Sequence, residues 1–90
     1  MSEKRIFKYT LDIVDWQLIR IHKDAELLHV DMQLDSLCLW ARLTPGLIID
    51  RAIIILGTGN QIPTKYESLP YIGSALDLRL DLVWHVFDGG

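Results

Sequence analysis

Apolar and polar residues alternate with a period of two along most of this chain, a pattern typical of strands with one buried face. The clearest case is the run in which Leu28, Val30, Met32 and Leu34 alternate with polar residues. We expect these four side chains to face a common core. The same alternation predicts three further strands, at residues 7–11, 18–22 and 37–43.

Turn residues join two of these strands into a hairpin. Residues 27–43 predict a β-hairpin with its connection at Asp35-Ser36. Pro45 and Gly46 end the hairpin, because proline fixes φ and glycine permits the chain to reverse. Residues 48–56 follow as an almost continuous apolar run, which predicts a strand buried on both faces.

The C-terminal third predicts a long loop and a last hairpin. In the loop, residues 57–70, Thr64 and Glu67 have the spacing of a capping box, so a single helical turn is expected there. The hairpin, residues 71–87, turns at 77–79, and a polar, flexible end follows it. Residues 1–90 are therefore expected to form one all-β domain, a small antiparallel sandwich or partly open barrel of about seven strands, with at most one short helix.

Composition narrows the classes of function. The chain is 50% hydrophobic with a mean hydropathy of +0.21, which is high for 90 residues and predicts a homo-oligomer, a dimer in the simplest case. A net charge of −3 offers no basic surface for polymeric nucleic acid. No apolar run is long enough for a membrane span, and the charged start lacks a signal-peptide core. A single cysteine, Cys38, favours a reducing, cytoplasmic compartment.

No spacing in the chain is typical of catalysis or of metal binding. His22, His29 and His85 are not paired at ligand spacing, and Cys38 stands alone. His85 lies in an apolar strand, where a hydrogen-bonded sheet histidine is the ordinary finding, and the roles of all three histidines stay open. No serine has a GxSxG elbow. Four aspartates near turns are expected to be solvated: Asp12, Asp15, Asp77 and Asp81. We therefore expect no enzyme, no metal and no cofactor.

The turn at Gly57, Thr58 and Gly59 is the candidate ligand site. Successive backbone amides in such a turn can form a concave nest for an anion, and the Thr58 hydroxyl adds a donor. The alternative is a turn that needs glycine only for a positive φ. The remaining candidate residues are counter-charges and stacking aromatics for an anion, namely Arg51, Lys65, Arg42, Trp40 and Tyr66. The site is expected to lie between subunits, since one small domain has little room for a deep pocket.

Three segments resemble a family of short all-β proteins from bacteriophages and prophages. They are the Gly-Thr-Gly-x-x-Ile-Pro loop at residues 57–63, the Tyr71-Ile72-Gly73 step and the C-terminal His85-Val86-Phe87 strand. The resemblance carries over no catalytic residue. It implies an accessory protein made in the bacterial cytoplasm during infection.

Two kinds of function follow from this resemblance and from the absence of catalytic motifs. The first is a non-enzymatic accessory protein that oligomerises and sequesters a small anionic ligand, such as a nucleotide immune signal, and so counters host defence. The second is an inhibitor that binds a host defence or regulatory protein. Its contact would be an exposed strand edge or an outward face bearing Trp40 and Arg42, since Trp and Arg are enriched in binding hot spots.

Overall fold

The computed structural model describes residues 3–90 and is all-β, as predicted. A single 3₁₀ turn, Thr64–Tyr66, is the short helix expected in the long loop. The predicted capping box was wrong, because Pro63 is the N-cap of this turn and no side chain caps it. In this part of the chain no helix is long and apolar enough to cross a membrane. The seven strands are β1 (Arg5–Leu11), β2 (Trp16–His22), β3 (Glu26–Gln33), β4 (Ser36–Leu43), β5 (Ile48–Gly57), β6 (Tyr71–Asp77) and β7 (Leu82–Asp88).

The strands form two antiparallel sheets, one in the order β1-β4-β3 and the other in the order β2-β5-β7-β6. The sheets pack face to face and do not close into a barrel, so the sandwich is the correct one of the two predicted architectures. Alternate residues of both sheets meet in two clusters of buried side chains, and Tyr9, Ile19 and Leu27 pack against both. The larger cluster contains Leu11, Val30, Leu37 and Leu39 from the three-stranded sheet, and Ile53, Ile55, Ala75 and Val86 from the four-stranded sheet. The smaller cluster contains Ile21, Ala25, Ala41 and Leu43.

The second half of β5 is buried on both faces, as predicted, whereas Ile48 at its start is exposed. The outer face is covered in part by the C-terminal residues. The Gly89 amide donates to the carbonyl of Ala52 at 2.8 Å, and a Cβ at Gly89 would lie only 2.6 Å from Cδ1 of Ile54. The prediction of a flexible polar end was therefore wrong, because residues 88–90 are hydrogen-bonded along β5.

The predicted phase of β3 is only partly correct. Val30 is buried and Met32 packs against the core, but Leu28 is exposed. A β-bulge between Leu27 and His29 shifts the register against β4, so that Leu27 and not Leu28 packs against the core. An extra residue of this kind is not visible in the alternation of the sequence.

The β3–β4 turn is one residue earlier than predicted. Gln33 pairs with Ser36, so Leu34 and Asp35 form the two-residue connection. Leu34 is 95% exposed and has a φ of +55°. Its predicted place in the core was wrong, because two-residue hairpin turns require positive φ near their tip. A leucine is strained in that conformation, because its Cβ lies close to the following carbonyl oxygen.

The β6–β7 hairpin corrects the prediction for Asp77. β7 begins at Leu82 and not at residue 80, and Asp77 is 1% exposed instead of solvated. Its carboxylate accepts hydrogen bonds from Trp84 Nε1 at 3.2 Å and from the Arg79 amide at 3.1 Å. Burial raises the pKa of Asp77, but these bonds and the Arg79 charge outweigh it and hold the pKa below its ordinary value.

Arg51, on the inner side of β5, bonds to the end of β7 and to the connection between β2 and β3. Its Nε donates to Asp88 Oδ1 at 3.0 Å, and its Nη2 donates to the other carboxylate oxygen. Its Nη1 donates to the carbonyl of Ala25 at 2.8 Å. The two side chains of the ion pair are 15% and 18% exposed. The Arg51 hydrogen bonds are the main reason that the pKa of Asp88 lies below its ordinary value.

Replacing Arg51 with Met should lower the free energy of unfolding at pH 7 by about 3 kcal/mol, because the Asp88 carboxylate and the Ala25 carbonyl lose their partner. Arg20→Met is the matched control. Arg20 pairs with Asp50 on the surface at 3.5 Å, and its loss should cost less than about 1 kcal/mol. Urea titrations of both variants test this, and equal losses would contradict the structural role of Arg51.

The same ion pair predicts a dependence of stability on acid. Because the folded-state pKa of Asp88 is lowered, its contribution is complete above the ordinary aspartate value of about 4. It is lost as the pH falls through the lowered value. Asp88→Asn should therefore flatten the decline of unfolding free energy below about pH 4. Parallel curves for the wild type and the variant would show that Asp88 does not contribute.

Leu34→Asn should raise the free energy of unfolding by about 0.5 to 1 kcal/mol, since asparagine tolerates positive φ better than leucine and no buried contact is lost. Leu78→Asn is the control in the other hairpin turn, because Leu78 is also largely exposed, at 82%, but has no positive φ. The melting temperature should rise for Leu34→Asn and stay unchanged for Leu78→Asn. A similar rise for both would indicate a general gain from removing surface leucine.

Candidate functional site

The predicted glycine turn is a four-residue β-turn that follows directly from β5. The Asn60 amide donates to the carbonyl of Gly57 at 3.1 Å, and Gly59 has the positive φ, +92°, that a type II turn requires at its third position. The Thr58 amide donates to the carbonyl of Val83 at 3.1 Å. The amides of Thr58 and Asn60 are therefore used within the protein, so the turn offers no row of consecutive free amides for an anion.

The Thr58 side chain begins a hydrogen-bonded chain that crosses three elements. Thr58 Oγ1 lies 2.8 Å from His85 Nε2, and His85 Nδ1 lies 2.8 Å from the Tyr71 hydroxyl. His85 is on β7, and Tyr71 begins the neighbouring β6. The Tyr71 ring also packs edge-on against Phe87, with ring centroids 5.2 Å apart. This packing supports the tyrosine in the position from which it reaches the imidazole.

The proton positions in this chain follow from its acceptors. Thr58 Oγ1 lies 3.3 Å from the carbonyl of Val83, which can only accept. If the threonine donates there, His85 donates from Nε2 to the threonine oxygen, and Tyr71 donates to Nδ1. All three protons are then bonded. The reverse order would leave the Tyr71 proton to solvent, to which Tyr71 is 53% exposed. The bond from Thr58 to the Val83 carbonyl is therefore the one contact that favours the first order, and from it we infer a proton on Nε2 of His85.

A cleft of about 260 Å³ opens beside this chain, between the turn and β7. Apolar side chains from β5, the loop and β7 form most of its wall, and one edge carries the Thr58 hydroxyl and the His85 ring. No Lys, Arg, Asp or Glu is among the lining residues. They are Leu56, Gly57, Thr58, Gly59, Asn60, Ile62, His85 and Phe87.

Sequence and packing explain why the cleft forms here. Gly57 ends β5 where a Cβ would lie 3.2 Å from the Trp84 ring, so a larger residue fits there only if the ring moves by a few tenths of an ångström. The far end of the loop is held by the Asp88 amide, which donates to the carbonyl of Pro70 at 2.9 Å. Between these two anchors the loop folds back over β5 and β7, and Ile62 reaches the cleft.

The counter-charges predicted for an anion lie elsewhere. Arg51 is six residues before Gly57 on β5, or about 20 Å away at the rise of a strand, and it is bonded to Asp88. Lys65 lies over the ring of Tyr66, with Nζ 5.1 Å from the ring centroid. Neither Lys65 nor Tyr66 lines the cleft. No predicted cation is therefore placed at the Gly57 turn.

Trp40 and Arg42 are on the outer face of the other sheet. Arg42 donates to Glu26 Oε1 from Nε at 3.1 Å and from Nη2 at 2.6 Å. The Trp40 ring is half-buried beside His29, with ring centroids 5.8 Å apart. The two residues share an outward face, as the alternation indicated, but Arg42 is already paired. Of the eight predicted site residues, only Gly57, Thr58 and Gly59 line the cleft.

Sequence reasoning missed Tyr71 and His85 as partners of Thr58. Each of the three segments that carry the family resemblance contributes one residue of the chain. The segments meet because β6 pairs with β7, and a bulge between Tyr71 and Gly73 sets the register at that point. His85 is the hydrogen-bonded sheet histidine expected from its strand. Among residues 3–90, no group of three or more His, Cys, Asp or Glu side chains could hold a metal ion.

The assigned proton of His85 can be measured. Long-range ¹H–¹⁵N correlation spectra at pH 8 should show Nε2 of His85 protonated, because Thr58 accepts its hydrogen bond. Thr58→Val removes that acceptor and should shift the His85 signals, while those of the exposed His29 stay unchanged. A proton on Nδ1 in the wild type would reverse the direction of these hydrogen bonds, so that Nε2 could accept the Thr58 proton.

Residues 2–90 match a family described as a domain of unknown function, DUF7352. No curated protein and no solved structure matches the chain. The family description names neither a ligand nor a reaction, so function has to be argued from the geometry of the cleft. Because the match extends over almost the entire sequence, the chain belongs to the DUF7352 family.

Proposed function

We propose that the protein is a non-catalytic binding protein whose cleft, between the Gly57 turn and β7, sequesters a small uncharged ligand. The observation that carries this proposal is the combination of apolar walls with a few polar groups on one edge. Small-molecule sites commonly have this composition, in which apolar contacts supply affinity and hydrogen bonds fix orientation. The Thr58 and Asn60 side chains are the polar groups that would orient the ligand.

The absence of charge in the lining favours an uncharged ligand over the anionic one expected from sequence. A phosphate or carboxylate that leaves water needs paired charge or several donors. Here the amides of Thr58 and Asn60 already donate within the protein, and no cation lines the cleft. A nucleoside or another neutral ring compound fits these walls better than a nucleotide does.

The hydrogen-bonded chain favours binding over catalysis. An activated hydroxyl needs a neighbouring base with a free lone pair. In the assigned order, Thr58 donates to Val83, His85 Nε2 donates to Thr58, and Tyr71 occupies Nδ1. The imidazole then has no free lone pair with which to activate Thr58. The chain instead fixes the orientation of the Thr58 oxygen at the edge of the cleft.

Assembly is a second part of the proposal. The outer face of the four-stranded sheet exposes large apolar side chains on both edge strands, at Trp16 and Leu18 of β2 and at Tyr71 and Leu76 of β6. Exposed apolar patches of this kind mark contact surfaces. They support the homo-oligomer that composition predicted. The accessory role in phage infection and the cytoplasmic location rest on the family resemblance and on the single cysteine.

The ligand class can be tested with paired panels of neutral nucleosides and their charged nucleotides. We expect neutral compounds to bind and to shift the amide signals of residues 57–62 in ¹H–¹⁵N spectra. Thr58→Val should weaken binding about fivefold, since one hydrogen bond is worth about 1 kcal/mol. Thr10→Val makes the same change at an exposed site on the three-stranded sheet and should have no effect.

Three outcomes would overturn the proposal. Tighter binding of the nucleotides than of the nucleosides would restore the anionic ligand. Equal effects of the two threonine variants would place the ligand outside the cleft. If no member of either panel shifts residues 57–62 at millimolar concentration, the nucleoside-sized ligand is wrong.

A further inference from the structure

A second cleft, of about 300 Å³, opens between the two sheets at the other end of the sandwich. His22 at this cleft pairs with Ile48, the first residue of β5, whereas the Gly57 turn follows the last residue of the same strand. The two clefts are therefore separated by the length of β5, which is about 30 Å for ten residues. The second cleft is lined by Glu3, Arg5, Phe7, His22, Leu43 and Pro45.

Phe7 shows that this end of the core is incomplete. Along β1 it has the same phase as Leu11, which is buried in the shared core. Phe7 should therefore face the opposite sheet, yet it is 49% exposed. Leu43, on the neighbouring strand β4, is buried and forms the inner end of the cleft. An aromatic residue on the inner side of a strand is thus about half exposed to solvent.

Charged and titratable groups surround this apolar opening. Arg5 lies on the same side of β1 as Phe7, and His22 ends β2 across the cleft. Among residues 3–90, Glu3 is the ion-pair partner of Arg5, at 3.9 Å, which is too long for a hydrogen bond. The guanidinium therefore has donors to offer, and they lie beside the exposed Phe7 ring.

We propose that this mouth binds a small amphiphilic carboxylate, whose apolar body covers Phe7 and whose carboxylate is held by Arg5. The planar guanidinium fork matches a carboxylate with two parallel hydrogen bonds. Glu3 already places a carboxylate near this guanidinium, and the ligand takes its position. An uncharged ligand would leave Arg5 with its weak partner, and a cation would be repelled by it.

The inference does not depend on the function proposed for the Gly57 cleft, because the two sites share no residue. It also moves the anionic ligand, which the sequence placed at the Gly57 turn, to a different site. The anion is assigned to Arg5 at one end of the molecule, and the neutral ligand is assigned to Thr58 at the other end. If ligand binds at one end only, the proposal for that end stands and the proposal for the opposite end fails.

The test compares 3-phenylpropionate with its neutral amide, 3-phenylpropionamide, by calorimetry and by ¹H–¹⁵N spectra of the full chain. We expect the acid to bind at least fivefold more tightly than the amide and to shift the signals of residues 5–7 and 22. Arg5→Gln should weaken the acid about fivefold or more and leave the amide unchanged. Arg20→Gln is the matched control, since Arg20 is equally exposed but pairs with Asp50 on the outer face of the other sheet.

Glu3→Gln supplies a result of opposite sign. It removes the competing carboxylate from Arg5, so the acid should bind about twofold to threefold more tightly. Phe7→Ser should weaken the acid and the amide alike, and circular dichroism confirms that each variant stays folded. The proposal is overturned if the acid and the amide bind equally well, or if Arg5→Gln and Arg20→Gln weaken the acid equally. It is also overturned if Glu3→Gln binds the acid no more tightly than the wild type does. If neither compound binds the wild type, an aromatic carboxylate is excluded from the mouth.

Discussion

The hydrogen bonds of Arg51 add buried polar links at the place where β5, the end of β7 and the connection between β2 and β3 meet. A 90-residue domain buries a modest share of its surface, so single buried polar interactions weigh heavily in its stability. Arg51 joins β5 to the end of β7 through Asp88, and it joins both to the crossing between the sheets through Ala25. The same carboxylate accepts from the Gly90 amide at 3.0 Å, so the C-terminal residues are aligned by this contact as well.

The position of Arg51 also bears on the two clefts. β5 is the one strand that reaches from the mouth at His22 to the turn after Gly57, and Arg51 lies near its middle. Its burial keeps a strong positive charge away from both clefts and places it where it stabilises the packing of the sheets. The Gly57 cleft therefore has a lining without charged residues, whereas the mouth is lined by the cation Arg5 and its partner Glu3.

Much of the fold could be predicted from the sequence because alternation reports the faces of strands directly. The strands of residues 7–11 and 37–43 have the faces that the pattern indicated, and Leu37, Leu39 and Ala41 are fully buried. The errors have local causes. A bulge changes the phase of β3 without leaving a mark in composition, and a leucine at positive φ is a residue that turn rules do not anticipate.

The candidate site was harder to predict than the fold, because its residues meet only through strand pairing. Thr58 and His85 are 27 positions apart, and Tyr71 reaches His85 across a register shift that alternation cannot place. Arg51 was assigned to a ligand for a related reason, since its true partner is 37 positions away. Residue type suggested that Thr58 was a polar group of a site, but only the register between β5, β6 and β7 identifies its neighbours.

Both bulges occur on strands that face each other across the sandwich, β3 and β6, and this gives the molecule two unlike sides. On this side a Cβ at Gly73 would lie 3.2 Å from the side chain of Val30, and the bulges make both edges irregular, which hinders the addition of a foreign strand. β1 and β2 are the edge strands on the other side, and each carries a charged residue at or next to its centre, Lys8 or Arg20. Charged residues at strand edges discourage uncontrolled pairing with other chains. Irregular strands on one side and charged residues on the other thus both act against uncontrolled strand pairing.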